Sequence, residues 1–187
     1  MASTKEELKK LILERAVERG EFILSSGERS HYYIDAKRVT LDPEGAYLIG
    51  EAFFDQLAKL EIDAVGGLTL GADPIATAIA LISHKRGRPI PAFIVRKAMK
   101  AHGTMKRIEG ALKPASRVAI VEDVVTKGGS ALEAARAVEA EGHRVVKVLC
   151  LVDREQSGGE SIRASGYDFG ALFTATELGL KHDENSG

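Results

Sequence analysis

Cysteine and histidine are scarce in this chain of 187 residues, with one and five of each, and the formal net charge is only −1. Each scarcity excludes something. Cys150 has no second cysteine to pair with, and it sits inside the apolar run from Val145 to Val152, where it reads as a small buried core residue. A near-neutral chain lacks the cationic surface that displaces counterions from a nucleic acid, so no nucleic-acid partner is expected. The histidines are scattered, without a Cys/His cluster or an HExxH pattern, which argues against a transition metal held by the protein. Neither a signal segment nor a long apolar span is visible, so no membrane association is expected and the cytoplasm is the default location. No repeat, linker or low-complexity stretch divides the chain, and one domain over 1–187 is the economical reading.

What is present alternates between helix and strand. Met1 to Gly20 reads as a helix, with Thr4 and Glu7 as a capping box and Leu8, Leu11, Ile12 and Val17 on one face. Glu21 to Val39 reads as two short strands around Ser25-Ser26-Gly27. Asp42-Pro43 opens a second helix with Tyr47, Leu48, Phe53, Leu57 and Leu60 inward, and Asp73-Pro74 caps a third that runs to about Lys85. Strands are expected at Ala64–Leu68, Ile90–Val95, 118–122, 144–152 and Phe169–Ala175, with a helix over 130–141. This order predicts an α/β fold with a central, mainly parallel sheet flanked by helices.

Residues 118–130, Val-Ala-Ile-Val-Glu-Asp-Val-Val-Thr-Lys-Gly-Gly-Ser, carry the most chemistry. Four apolar residues suit a strand buried on both faces. Glu122 and Asp123 come next, at its carboxyl end, where open α/β sheets bind ligands. The turn Thr126–Ser130 then leads into a helix whose first amides can hold a phosphate. An acidic pair beside a phosphate turn would repel a bare phosphate, but it suits a ribose 5-phosphate whose hydroxyls donate to the carboxylates. The spacing is neither a P-loop nor a dinucleotide fingerprint.

The string resembles the phosphoribosyl diphosphate (PRPP) motif of type I phosphoribosyltransferases, in which Val124, Val125, Thr126, Lys127, Gly128, Gly129 and Ser130 match the phosphate-binding turn. The resemblance implies that family's fold, with a small hood built from N- and C-terminal segments (about 20–40 and 153–175) and a mobile cationic loop over about 97–110. Three further stretches narrow it. Arg96-Lys97-x-x-Lys100-x-His102-Gly103 is similar to the loop of the orotate phosphoribosyltransferase family; Phe22–Asp35 resembles its amino-terminal region; and Asp153-Arg154 resembles its Asp-Arg element.

That resemblance implies transfer of ribose 5-phosphate from PRPP to orotate, giving orotidine 5′-monophosphate and diphosphate in pyrimidine (UMP) synthesis. It implies Mg²⁺, held mainly by PRPP and water near Glu122 and Asp123, and a homodimer whose loop reaches the partner's site. Glu122 and Asp123 would take the ribose hydroxyls. Arg96, Lys97, Lys100 and His102 would neutralise the diphosphate, with Lys100, His102 and Asp123 as the catalytic group. Leu70 and Gly71 would offer backbone to the diphosphate. Arg154, Tyr33, Ile34, Ser25 and Thr126 would hold orotate, with Arg38 or Lys37 as the alternative reader of its carboxylate. Many relatives have lysine where this chain has Ser25 and Gly71, and a small residue where it has Lys127. A transferase for another base, or a PRPP-sensing regulator on the same fold, are the alternatives. The first would leave Arg154 and the 96–102 pattern unexplained, and the second would need a DNA-binding segment for which no room exists before residue 20.

Overall fold

The computed structural model describes residues 3–23, 29–98 and 107–180. Its centre is a six-stranded sheet in the order β5-β4-β3-β6-β7-β8. The strands are β3 (Ala64–Leu68), β4 (Ala92–Val95), β5 (Ile108–Glu109), β6 (Arg117–Val125), β7 (Arg144–Asp153) and β8 (Phe169–Thr174). All neighbours run parallel except β4 and β5.

The apolar run in β6 has a simple cause. Ala119 and Val121 pack into one core with α1 (Thr4–Arg15), α3 (Pro43–Leu57) and α4 (Ala72–Lys85). Val118 and Ile120 face the other core, with α5 (Gly129–Ala140) and Ile162 of α6 (Gly158–Ala164). A strand covered on both faces has no polar side to show. Cys150 is fully buried on β7, as its apolar surroundings suggest.

Several boundaries differ from the sequence pattern. The first helix stops at Arg15 rather than continuing to Gly20, because Val17–Ile23 is strand β1, paired antiparallel with β2 (Arg29–Ile34). Pairing supplies those backbone groups with partners that helix propensity alone does not reveal. The capping box lies one residue earlier than Thr4 and Glu7: Ser3 Oγ accepts from Glu6 N, and Glu6 Oε2 accepts from Ser3 N at 2.8 Å. Asp42 does cap α3, its Oδ1 accepting from the amides of Glu44 and Gly45 at 3.0 Å each. Asp73 does not cap α4; Gly71 holds that position and Asp73 falls in the first turn. Tyr47 faces outward rather than inward. The short helix α2 (Lys37–Thr40), β5 and α6 have no counterpart in the sequence pattern.

Of the segment expected to form the C-terminal part of a hood, β8 belongs to the core sheet and α6 to its flank. Arg154, immediately after β7, meets the β1–β2 hairpin there. Among the described residues, no helix is long and apolar enough to cross a membrane.

Candidate active site

The parallel strands β3, β6 and β7 end on the same side of the sheet, and the site is built from the turns at their carboxyl ends. After β6, Gly128 takes a left-handed conformation (φ 83°) and starts α5. The turn is tight: a Cβ on Gly128 would sit 2.9 Å from the Gly158 carbonyl oxygen. Glycine is therefore required for both backbone angle and space. The result is a cavity of about 310 Å³ lined by Glu122 and by Val124 through Ala131. It brings together the residues expected to bind the phosphate, with Lys127, Gly129 and Ser130 exposed.

Glu122 forms one wall of that cavity, and Asp123 follows it in β6. Glu122 is 5 % exposed and its Oε2 has no hydrogen-bond partner, while Oε1 accepts from the Asp123 amide at 3.2 Å. Burial, and then the neighbouring Asp123 charge, push the Glu122 carboxyl well above the usual carboxylate range. Asp123 Oδ1 accepts from Val124 N at 2.8 Å, and Oδ2 lies 3.5 Å from Lys37 Nζ.

The turn between β3 and α4 faces that pair. Thr69 Oγ1 donates to Asp73 Oδ2 at 2.7 Å, which pins the turn, and Leu70 is 70 % exposed. Gly71 lies so close to the carboxylates that a Cβ on it would be 2.6 Å from Asp123 Oδ1 and 2.8 Å from Glu122 Oε1. Gly71 thus packs directly against the acidic pair, with the exposed Leu70 next to it in the turn.

Arg154 stands on the far side. It is 4 % exposed, its guanidinium carbon lies 4.6 Å from the centroid of the Tyr32 ring, and Nη2 donates to Ser30 Oγ at 3.0 Å. Ser30 Oγ in turn donates to the Tyr32 carbonyl at 2.7 Å. The Arg154 Nε is buried with no hydrogen-bond partner among the described residues. Ile34 is buried and Tyr33 is partly exposed on the same hairpin.

The loop is partly placed. Arg96 Nη1 approaches Glu109 Oε1 at 3.4 Å, and Lys97 is exposed. Arg107 donates from Nε and Nη2 to the Arg96 carbonyl at 3.0 and 2.9 Å and pairs with Glu133, tying the loop's two ends to α5. Lys100, His102 and Ser25 lie outside the described residues.

Three features carry no signal in the sequence pattern. Ser30, 124 positions from Arg154 in sequence, backs it together with Tyr32, and nothing local marks that contact. Lys37 approaches Asp123, while Arg38 is taken by Glu18 at 2.7 Å. A groove of about 570 Å³ runs beside the site between α2, α3 and α4, where Leu41, Tyr47, Leu70 and Leu81 are exposed.

No group of three or more His, Cys, Asp or Glu gathers among the described residues. The site offers a cation two adjacent carboxylates, one with an unpartnered oxygen, which suits a magnesium ion that keeps most of its water and substrate oxygens.

A mainly parallel sheet, an acidic pair at the end of a central strand and a glycine-bearing turn into the next helix define the type I phosphoribosyltransferase fold. Comparison with known proteins agrees and goes further. No family model matches the chain. It is 48 % identical to the orotate phosphoribosyltransferase of Aquifex aeolicus over 177 residues, covering 93 % of this chain and 97 % of that one. The crystal structure of the Mycobacterium tuberculosis orotate phosphoribosyltransferase in complex with Fe(III) dicitrate superposes with a TM-score of 0.85 at 43 % identity, covering 95 % of this chain and all of that one. A complex of the same enzyme with PRPP gives a TM-score of 0.81 at 41 % identity, with 95 % and 100 % covered. The chain belongs to the orotate phosphoribosyltransferase family.

Proposed function

We propose that this protein works as one catalytic unit that binds PRPP across the cavity behind β6 and transfers its ribose 5-phosphate to orotate. The bond from ribose C1 to a diphosphate oxygen breaks, a bond from C1 to a ring nitrogen forms, and that nitrogen loses its proton. The observation that supports this reading is the close approach of Gly71 to Glu122 and Asp123, beside a cavity that Glu122 shares with the turn from Val124 to Ala131.

The roles come from chemistry. Amides and hydroxyls from Thr126 to Ser130 hold the 5′-phosphate at the start of α5. Glu122 and Asp123 accept from the ribose hydroxyls and favour positive charge on the sugar as the diphosphate departs. Leu70 and Gly71 present backbone to the diphosphate. Arg96, Lys97, Lys100 and His102 neutralise it, Lys100 and His102 acting in the transition state. Arg154 meets the orotate carboxylate with its guanidinium plane, and the Tyr33–Ile34 backbone, Ser25 and Thr126 complete the base site. Magnesium, when bound near Glu122 and Asp123, supplies positive charge that offsets the diphosphate.

We further propose a homodimer working in the cytoplasm, each protomer lending its loop to the other's site. The groove between α2, α3 and α4 supports this, since exposed Leu41, Tyr47 and Leu81 lie next to Lys37, Leu70 and Asp73 at the site's edge. A second copy covering that apolar surface would stand within reach of the neighbouring cavity.

Diphosphate release from PRPP and magnesium, measured with orotate, uracil, adenine and hypoxanthine in turn, tests the assignment. Release with orotate alone is expected; release with a purine but not orotate would overturn it.

A further inference from the structure

The turn that should receive the departing diphosphate, Thr69-Leu70-Gly71-Ala72, contains no cation. Gly71 can gain none without disturbance, because any side chain there begins with a Cβ 2.6 Å from Asp123 Oδ1. Yet a diphosphate carries several negative charges, and the carboxylates of Glu122 and Asp123 stand directly behind the turn. Within the turn itself only backbone amides face the anion, and they do so against an acidic wall.

One cation reaches this point from another element. Lys37 begins α2, just past the β1–β2 hairpin, and its ammonium lies 3.5 Å from Asp123 Oδ2 and 4.0 Å from Asp35 Oδ1. It shares the edge of the groove with Leu70 and Asp73. The side chain is 48 % exposed while its Asp123 partner is 13 % exposed, so the lysine covers the carboxylate from the solvent side. A long, flexible ammonium stem in that position can turn from the carboxylate to an incoming anion with little cost.

We propose that Lys37 is a diphosphate-binding residue of the transfer reaction, supplying from α2 the positive charge that the Gly71 turn lacks. Before PRPP arrives it sits on Asp123. When the ribose hydroxyls take over Asp123, the ammonium is released onto the diphosphate oxygens next to Leu70 and Gly71. Lys37 does not read the orotate carboxylate in this arrangement; Arg154, on the other side of β6, does. The inference rests on the proposed placement of PRPP, so its test uses a ligand that reports on the diphosphate alone.

Inorganic diphosphate with magnesium is titrated by calorimetry onto the full-length parent, Lys37→Met and Lys37→Arg, and the same proteins are assayed for PRPP and orotate KM. A hydrogen bond to a charged group sets the scale: Lys37→Met should weaken diphosphate binding by about 10- to 100-fold. PRPP KM should rise in parallel, orotate KM should stay within about twofold, and Lys37→Arg should recover most of the loss. An unchanged melting temperature is expected for a side chain this exposed, which separates the effect from misfolding. Equal diphosphate affinity in parent and Lys37→Met overturns the assignment alone. A raised orotate KM with unchanged diphosphate affinity overturns it in favour of carboxylate reading. A parent that binds no diphosphate overturns both this inference and the placement of PRPP.

Discussion

Gly71 and Asp123, 52 positions apart in sequence, are packed so closely that the glycine's missing Cβ would lie 2.6 Å from the aspartate's Oδ1. The glycine is not there for its backbone freedom. Its φ is −57°, an ordinary helical value that any residue adopts. What a side chain there would meet is the acidic pair, whose carboxylates would have to move.

Gly71→Ala therefore tests the contact without straining the chain. The methyl group must displace Asp123 or Glu122, and a displacement on the order of 1 Å near the reacting centre costs about 100-fold in rate. Steady-state kinetics should show kcat/KM for PRPP falling on that scale. Crowding of this kind also destabilises by about 1–3 kcal/mol, visible as a lower melting temperature. Kinetics within about twofold of the parent would mean the turn and the pair are not held together in solution.

Glu122 predicts a pH-dependent stability. Burial and the Asp123 charge raise its folded carboxyl above the ordinary value, so the folded chain binds its proton more tightly than the unfolded chain does. The associated stability is fully present below the ordinary carboxylate pKa and is lost as pH rises through the raised folded value. Glu122→Gln has no proton to lose. Its melting temperature should match the parent near pH 4 and exceed it increasingly toward pH 8, by roughly 2–4 °C for each kcal/mol relieved in a chain of this size. Activity should fall in the same variant, since the amide no longer favours positive charge on the ribose. A melting difference independent of pH would show that Glu122 is not strained by ionisation.

The proposed loop sharing predicts complementation. Lys100→Ala and Asp123→Asn should each lose activity by about 100- to 1000-fold, the scale for one transition-state group. After the two proteins exchange subunits, one site of each hybrid combines an intact acidic pair with an intact loop. Activity should return to about a quarter of the parental rate for random reassortment of symmetric dimers. No recovery after exchange is verified by mass spectrometry would place each loop on its own chain's site.

Sequence and structure agree where the determinants are contiguous. The strands β3, β6 and β7 are legible because burial on both faces leaves unbroken apolar runs, Ala64–Leu68 among them. The turn from β6 into α5 is legible because its acids, hydroxyls and glycines succeed one another within a single strand–turn–helix. The features that stay hidden depend on contacts between distant residues. Val17–Gly20 continues a helical pattern and becomes strand only because Arg29–Ile34 pairs with it. Strand β5, two residues long, is too short to show a period, and α6 begins with two glycines that argue against helix. Lys37 is legible only as an alternative partner for the orotate carboxylate, and its approach to Asp123 emerges when folding brings α2 over that residue. Tyr47 fits the apolar spacing of α3 yet lies outside, against the Lys85 ammonium at 5.5 Å, beside the exposed groove.

The central claim is that this site selects orotate through its carboxylate, and the ratio of kcat/KM for orotate over uracil measures it most directly in the parent and in Arg154→Ala. Arg154 is buried, stacked on Tyr32 and carries an unpartnered Nε, so a carboxylate bound there loses its counter-charge when the arginine is removed. The parent should prefer orotate by about 10⁴-fold or more, as sites built around one polar group do. Arg154→Ala should lose at least about 30-fold of that preference, mainly through a higher orotate KM, with PRPP KM little changed. An Arg154→Ala protein that separates the two bases as sharply as the parent would contradict the account.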